Sequence, residues 1–290
     1  MSHMMNQVEK QEVIGKVAET LVRASTTFPP GKMEAYQNAY SREDDEKARW
    51  VISMVTENAA IAERSKRPMC DDTGIPHVFL EVGPNRMVTG ELIGGIKEGV
   101  REGLRRLPGR PMAILGDDAQ RIDQSLGMSD SPEDVELAPI VIKKTAEDVL
   151  RVHILMQGGG PAIRGMTYRI FHKHSIEVVL DEICRRAAEG VNALGCSPCT
   201  LAIGLGRSHL EAAALMEEAL VFGDYAHASQ LEDEITQHVN SLCSGPMNLG
   251  GHTSVLATFL KVGPQRASGV RIASIRPSCC FEPRRASVDL

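Results

Sequence analysis

Apolar residues recur at helical spacing along much of the chain and form short continuous runs elsewhere. The helical spacing predicts helices over residues 7–26, 44–64, 89–107, 175–190, 208–221 and 226–242. The short apolar runs predict strands over residues 77–83, 138–143, 149–156, 200–205, 253–262 and 269–275. Because helices and strands are mixed throughout the chain, we expect an α/β fold of the mixed α+β kind, with helices packed around mixed sheets.

Loops rich in glycine and proline separate these elements and carry polar or thiol side chains. They lie at residues 70–74, 158–160, 195–198 and 245–251, and the segment 108–135 is rich in glycine and proline as well. Glycine lets the backbone approach a ligand closely. A long irregular segment within a domain is usually functional or disordered. The pattern therefore predicts a site assembled from segments that are far apart in the sequence.

The length and composition are those of an ordinary globular protein. The 290 residues, 42% of them hydrophobic and 24% charged, suffice for one large domain or two small ones. We predict one catalytic domain over residues 6–290. Residues 1–5 resemble a remnant of expression cloning and are left out of the fold.

Charge and hydropathy exclude several classes of partner. The net charge is −6 and no lysine- or arginine-rich run occurs, so no nucleic acid is expected as a partner. No apolar stretch reaches the roughly 18 residues that span a membrane. The chain does not open with a charged segment followed by an apolar one, as secretory signals do. We therefore expect a cytoplasmic protein that does not bind membranes.

The cysteines suggest metal binding more than disulfide formation. Their number is odd, and cytosolic proteins rarely contain disulfides, so metal ligation or simple burial is favoured. By spacing alone, the Cys196-x-x-Cys199 pair with Cys279 and Cys280 is also compatible with a structural zinc site, and Cys196 and Cys199 with a redox pair. The seven are Cys70, Cys184, Cys196, Cys199, Cys243, Cys279 and Cys280.

Four motifs in order resemble those of one enzyme family, the iron–sulfur (class I) fumarate hydratases and L-tartrate dehydratase alpha subunits. Residues 70–74 (Cys-Asp-Asp-Thr-Gly) resemble its Cys-Gln-Asp-Thr-Gly, and residues 195–198 (Gly-Cys-Ser-Pro) resemble its Ala-Cys-Pro-Pro. Residues 245–251 (Gly-Pro-Met-Asn-Leu-Gly-Gly) resemble its Gly-Pro-Met-Gly-Leu-Gly-Gly. Residues 280–286 (Cys-Phe-Glu-Pro-Arg-Arg-Ala) resemble its closing Cys-Trp-x-x-Arg-Arg-Ala. The resemblance extends over about residues 10–290.

The resemblance implies a [4Fe–4S] cluster held by Cys70, Cys196 and Cys280. Such clusters commonly have four thiolate ligands, so three would leave one iron open to bind a substrate. An open metal ion acts as a Lewis acid. The implied fold is the alpha-type domain of the iron–sulfur hydro-lyases.

The resemblance also implies roles for residues in the glycine-rich loops. It makes Asp72 the candidate for acid–base chemistry on the departing water. Spacing alone favours a helix cap or turn pair for Asp71 and Asp72. The 158–160 glycines are equally compatible with a tight turn, and the two arginines with a solvated pair. The residues expected to bind the substrate are Asp71, Thr73, Gly159, Gly160, Arg284 and Arg285.

The implied activity is the reversible hydration and dehydration of a small hydroxy-dicarboxylate, of the fumarate/malate or tartrate type. In this family the base that removes the carbon-bound proton lies on a separate C-terminal domain or β subunit. We therefore expect a β subunit as a partner, together with homodimeric pairing.

The chain departs from the family pattern where the substrate should bind. Residues 157–161 are Gln-Gly-Gly-Gly-Pro where the family commonly has Lys-Gly-Gly-Gly-Ser, and Asp71 replaces a glutamine. These changes replace a cation and a hydroxyl with groups of different hydrogen-bonding capacity. The alternative hypothesis is therefore a catalytically altered subunit that binds a cluster or zinc and acts through a partner.

Overall fold

The computed structural model describes residues 7–290, and the segment assigned above to cloning lies outside them. Within this range the helices are α1 (Gln7–Thr26), α2 (Lys32–Arg42), α3 (Glu46–Ser65), α4 (Gly90–Arg106), α5 (Asp118–Asp123), α6 (Gly159–Ala162), α7 (Ile176–Leu194), α8 (His209–Phe222) and α9 (Gln230–Ser241). The strands are β1 (Ile75–Val82), β2 (Val141–Lys144), β3 (Leu150–Gln157), β4 (Met166–Phe171), β5 (Cys199–Gly206), β6 (Val255–Val262), β7 (Val270–Ser278) and β8 (Arg284–Asp289). The predicted mixed α/β class is confirmed.

The described residues form two compact units. Unit 1 consists of residues 7–27, Ile61–Gly158 and Arg284–Leu290, and unit 2 consists of Phe28–Ala60 and Gly159–Pro283. Each unit has a four-stranded sheet of its own. The chain passes repeatedly between these two units. One catalytic domain over residues 6–290 stays a prediction.

Unit 1 is a sheet with strand order β2-β1-β3-β8, covered by α1 and α4. β1 runs parallel to β2 and antiparallel to β3, and β3 runs antiparallel to β8. Alternate residues of β1 and β3 are buried against the two helices, among them Leu80 and Ile154. The helices contribute Val17, Leu21 and Ile96 to this core, because their apolar positions recur at helical spacing.

Unit 2 is a sheet with strand order β4-β7-β5-β6, in which β5 and β6 are parallel and β7 is antiparallel to both β4 and β5. Its main core includes Ile183 and Val191 of α7, Val239 of α9, and Leu201 and Ile203 of β5. A smaller apolar cluster contains Tyr36 and Ala39 of α2, Ile52 and Val55 of α3, and Cys280. The four strands bring the loops that carry three of the sequence motifs to the ends of one sheet.

Most of the predicted elements are confirmed, but five elements of the structure were not predicted. These are α2, α5, α6, β4 and β8. In α3, Val51, Val55 and Ala59 are buried, whereas Trp50, Met54 and Ile61 are exposed. The segment 108–135 is less irregular than predicted, because it contains α5, whose N-terminus is closed by an Asp117 capping box.

Within residues 7–290 no helix combines the length and the apolar character needed to cross a membrane.

The contact between α1 and α4 is close because glycine occupies α4 at the interface. A Cβ atom at Gly99 would lie 2.7 Å from the Cβ atom of Val17 and 3.0 Å from the carbonyl of Ile14. Gly94, in the same helix, is exposed and has no atom near its Cβ position. Gly99 is therefore required by the packing of α1 against α4. Gly94 is not, so it serves as a control position in the same helix.

We predict that Gly99→Leu destabilises the protein and that Gly94→Leu does not. Overpacking a helix interface costs about 1–3 kcal/mol or more, whereas replacing an exposed helical glycine gains about 0.5–1 kcal/mol of helix propensity. The free energy of unfolding from urea denaturation, followed by circular dichroism, measures both. Equal stability of the two variants would show that α1 and α4 do not depend on this close approach.

Candidate active site

The loop of residues 70–74 in unit 1 is held by buried side chains and backbone groups. Thr73 is almost completely buried, and its hydroxyl accepts a hydrogen bond from the Arg110 backbone N–H at 2.7 Å. Gly74 has a φ of +85°, and its Cβ position would lie 2.8 Å from the Gln157 carbonyl carbon and 2.6 Å from the Arg284 guanidinium. Only glycine fits there without displacing its neighbours. The loop therefore has little freedom at its C-terminal end.

Arg284 holds the middle of this loop. It is the first residue of β8, its side chain is buried, and its Nη1 donates a hydrogen bond to the Asp72 carbonyl at 2.7 Å. The sequence suggested that Arg284 binds a substrate carboxylate. In the structure the guanidinium donates to the backbone carbonyl of Asp72, and Asp72 itself is half-buried.

Asp71 and Arg110 form an exposed ion pair beside Asp72. The Arg110 Nη1 lies 3.2 Å from Asp71 Oδ2, and the side chains are 57% and 88% exposed. A pair this exposed adds little to stability because water screens it. Arg110 was not predicted as a site residue, because it lies in the segment 108–135, where the sequence shows no periodic pattern. The one available signal is its place as a cation between Gly109 and Pro111.

In unit 2 the loops of Cys196 and Cys280 lie next to each other. The Cys280 backbone N–H donates a hydrogen bond to the Cys196 carbonyl at 2.9 Å. Cys280 is buried and Cys196 is exposed. The Ser197 hydroxyl accepts a hydrogen bond from the Met247 N–H at 2.7 Å, which attaches the 245–251 loop to the same place. Two of the four motifs recognised in the sequence, and the beginning of a third at Cys280, thus meet within this unit.

Limited contact with water makes these thiols weak acids. Although Cys196 is exposed as a residue, its pKa is raised by partial burial of the thiol and by Cys279, while the Arg164 charge acts in the opposite direction. The pKa of Cys280 is raised well above its usual value by hydrogen bonding with Cys279 and by burial. Since a thiol must lose its proton to bind a metal, metal binding at these cysteines would release protons.

Buried polar groups hold the backbone that follows Cys280. The Tyr36 hydroxyl donates to the Cys280 carbonyl at 2.7 Å and lies 3.2 Å from the Pro198 carbonyl. The Lys32 Nζ donates to the Glu282 carbonyl at 2.5 Å. The Glu282 carboxylate pairs with Arg276 at 3.0 Å, and both side chains are nearly inaccessible to solvent. Neither Lys32 nor Tyr36 was predicted as a site residue, because α2 itself was not predicted.

The remaining predicted residues are Gly159, Gly160 and Arg285. Gly159 and Gly160 begin α6 in unit 2, where the Gly160 carbonyl accepts a hydrogen bond from Arg164 Nη1 at 3.2 Å. Arg285 is half-buried in β8 of unit 1, opposite Leu155 of β3. Cys70, Asp71, Asp72, Thr73, Arg284 and Arg285 thus belong to unit 1, and Gly159, Gly160, Cys196 and Cys280 belong to unit 2.

A group of potential metal ligands that contains no cysteine lies in unit 2. Among residues 7–290, the one group of three or more potential ligands whose atoms lie within 4.8 Å of one another is Glu43, Asp44 and His252. Both oxygens of Glu43 accept the His252 backbone N–H, at 2.9 and 3.0 Å, so this carboxylate serves to hold the loop.

Comparison with known proteins agrees with the motifs. The profile of the family described as fumarate hydratase (Fumerase) matches residues 14–289. A candidate L(+)-tartrate dehydratase subunit alpha of Methanocaldococcus jannaschii is 26% identical over 275 residues, which is 92% of each chain. The L(+)-tartrate dehydratase alpha subunits of Escherichia coli K12 and Shigella sonnei are each 23% identical over 295 residues, covering 98% of this chain and 94% of theirs. The chain therefore belongs to the fumarate hydratase (Fumerase) family of hydro-lyases.

Proposed function

We propose that this chain is the alpha-type subunit of an iron–sulfur hydro-lyase that adds water to, and removes it from, a small dicarboxylate of the fumarate/malate or tartrate type. Family membership supports the reaction class, and the relatives named as tartrate dehydratase alpha subunits support the substrate class. The observation that carries the proposal is the hydrogen bond between the backbones of Cys196 and Cys280, because it brings together two cysteines that are distant in sequence.

The cysteine residues suit an iron–sulfur cluster in their chemistry. Cys70, Cys196 and Cys280 would hold a [4Fe–4S] cluster. Cys196 is exposed, and a backbone hydrogen bond connects Cys196 to Cys280. Each thiolate binds a different iron, so the sulfur atoms need not approach one another as closely as at zinc. When bound, the cluster supplies an open iron that withdraws electrons from the substrate hydroxyl.

Asp72 is the proposed proton donor and acceptor for the departing or entering water. Its carbonyl is fixed by Arg284, so the position of its carboxyl group depends on a buried side chain. We assign Arg284 the role of positioning this loop. Thr73 positions Arg110, because its hydroxyl accepts the Arg110 backbone N–H. Neither side chain is exposed.

Arg110 is the proposed partner of a substrate carboxylate. Its guanidinium is largely exposed and already pairs with the carboxylate of Asp71, which shows that its surroundings accept an anion. Arginine binds carboxylates through two parallel hydrogen bonds. The backbone N–H groups of Gly159 and Gly160, together with Arg285, remain proposed contacts of the substrate. Asp71 would adjust the charge of Arg110.

The proposal includes a partner. The family's second proton-transfer group lies on a β subunit or an additional domain, so we propose that this chain acts together with a β-type subunit. The relatives are themselves named as alpha subunits. Homodimeric pairing of the resulting assembly is proposed from the same resemblance.

We predict that Cys280→Ala abolishes cluster binding and that Cys184→Ala preserves it. Both residues are buried in unit 2, but Cys184 lies on α7 within the main core and is not a proposed ligand. Iron and acid-labile sulfide after anaerobic reconstitution, with an electron paramagnetic resonance spectrum, give the result. We expect about four irons per chain in the wild type and in the Cys184 variant. Equal iron in both variants would contradict the assignment of Cys280.

We predict that Asp72→Asn lowers kcat by about 10²–10⁴, since an amide cannot exchange the proton and general acid–base catalysis contributes about this much. Asp71→Asn, one residue away, should change kcat by less than about tenfold and act mainly on KM, because Asp71 adjusts substrate binding. Rates of fumarate, malate and tartrate turnover in the holoenzyme with its β-type subunit test this. Equal loss of kcat in both variants would exclude a specific role for Asp72.

A further inference from the structure

Lys32 is a buried lysine that has no role in the proposed reaction as described above. It is the first residue of α2 and is completely inaccessible to solvent. Its Nζ donates to the Glu282 carbonyl at 2.5 Å and lies 4.7 Å from the centre of the Phe28 ring and 6.0 Å from that of Tyr36. Taking an ammonium group out of water is unfavourable unless other groups compensate for it. A carbonyl and two aromatic faces are such groups.

The groups around Lys32 are connected to the Cys280 segment. Glu282 follows Cys280 by two positions, and the Tyr36 hydroxyl donates to the carbonyl of Cys280 itself. The Phe28 ring packs against Phe281 with 6.5 Å between ring centres. The ammonium group is therefore fixed relative to the backbone of the proposed cluster ligand.

Charged side chains are buried on both sides of Cys280 in the chain. In the same segment the Glu282 carboxylate is paired with the Arg276 guanidinium. Lys32, Arg276 and Glu282 are all buried, and Lys32 contacts the backbone of Glu282 while Arg276 contacts its carboxylate.

We propose that Lys32 is a positioning residue that balances the negative charge of the thiolate-ligated cluster and thereby sets its reduction potential. This inference rests on the proposed function. A cluster bound by three thiolates carries net negative charge, and one-electron reduction from the 2+ to the 1+ core adds a further negative charge without breaking a bond. A fixed cation in a site of low dielectric stabilises the reduced state more than the oxidised state.

The test compares Lys32→Met, which removes the charge, with Lys32→Arg, which retains it. Reconstituted protein is titrated with dithionite under argon, and the reduced cluster is followed by electron paramagnetic resonance. In Lys32→Met we expect the ratio of reduced to oxidised cluster at a fixed solution potential to fall about tenfold, a shift of about 59 mV for one electron. Lys32→Arg should remain within about threefold of the wild type.

Lys32→Gln guards against misfolding, because glutamine has no charge yet can still donate a hydrogen bond to the Glu282 carbonyl. It should reproduce the shift of Lys32→Met. An unchanged potential in the neutral variants would overturn the inference, and so would an equal shift in Lys32→Arg, which would mark the effect as one of packing. If the wild type itself takes up no cluster, the proposed function fails and this inference fails with it. A loaded wild type with unshifted variants refutes this inference alone.

Discussion

The hydrogen bond from Arg284 to the Asp72 carbonyl is the constraint on which the candidate site of unit 1 depends. Arg284 is buried, and a buried guanidinium is tolerated only where its donors meet acceptors. The adjoining Gly74 leaves no room for a side chain between the guanidinium and the Gln157 backbone. Strand pairing between β3 and β8 brings Arg284 to this place, so the loop geometry follows from the sheet.

In unit 2, other polar side chains likewise hold loops through hydrogen bonds to the loop backbone. Lys32 and Tyr36 donate to the carbonyls of Glu282 and Cys280, while the Glu43 carboxylate accepts the N–H groups of the loop at His252. The backbone N–H and C=O groups of an irregular loop find few hydrogen-bond partners in helices or sheets. Buried polar side chains provide those partners here. The short segment from Lys32 to Glu43 therefore orders loops that lie more than 150 residues away.

Family membership establishes the class of chemistry, whereas the substrate depends on the loops in which this chain departs from the family. Asp71 replaces an uncharged amide of the family motif and pairs with the exposed Arg110. If Arg110 binds a substrate carboxylate as proposed, the Asp71 carboxylate competes with that substrate for the same guanidinium and lowers the affinity for small diacids. Selectivity among hydroxy-dicarboxylates is thus expected to depend on this pair, together with the altered glycine loop at residues 157–161.

The sequence by itself determined the fold class, most helices and strands, and the motifs that identify the family, because hydrophobic periodicity and glycine-rich loops are local properties of the chain. It also led to Cys70, Cys196, Cys280 and Asp72 as candidates, through resemblance. It did not reveal α2, β8 as a strand, or the parts played by Lys32, Tyr36 and Arg110. Arg284 was expected to bind substrate, and the sequence did not reveal that its Nη1 donates a hydrogen bond to the Asp72 carbonyl. Only the tertiary structure decided these points, since each depends on contacts between residues far apart in sequence, for which the local pattern carries no signal.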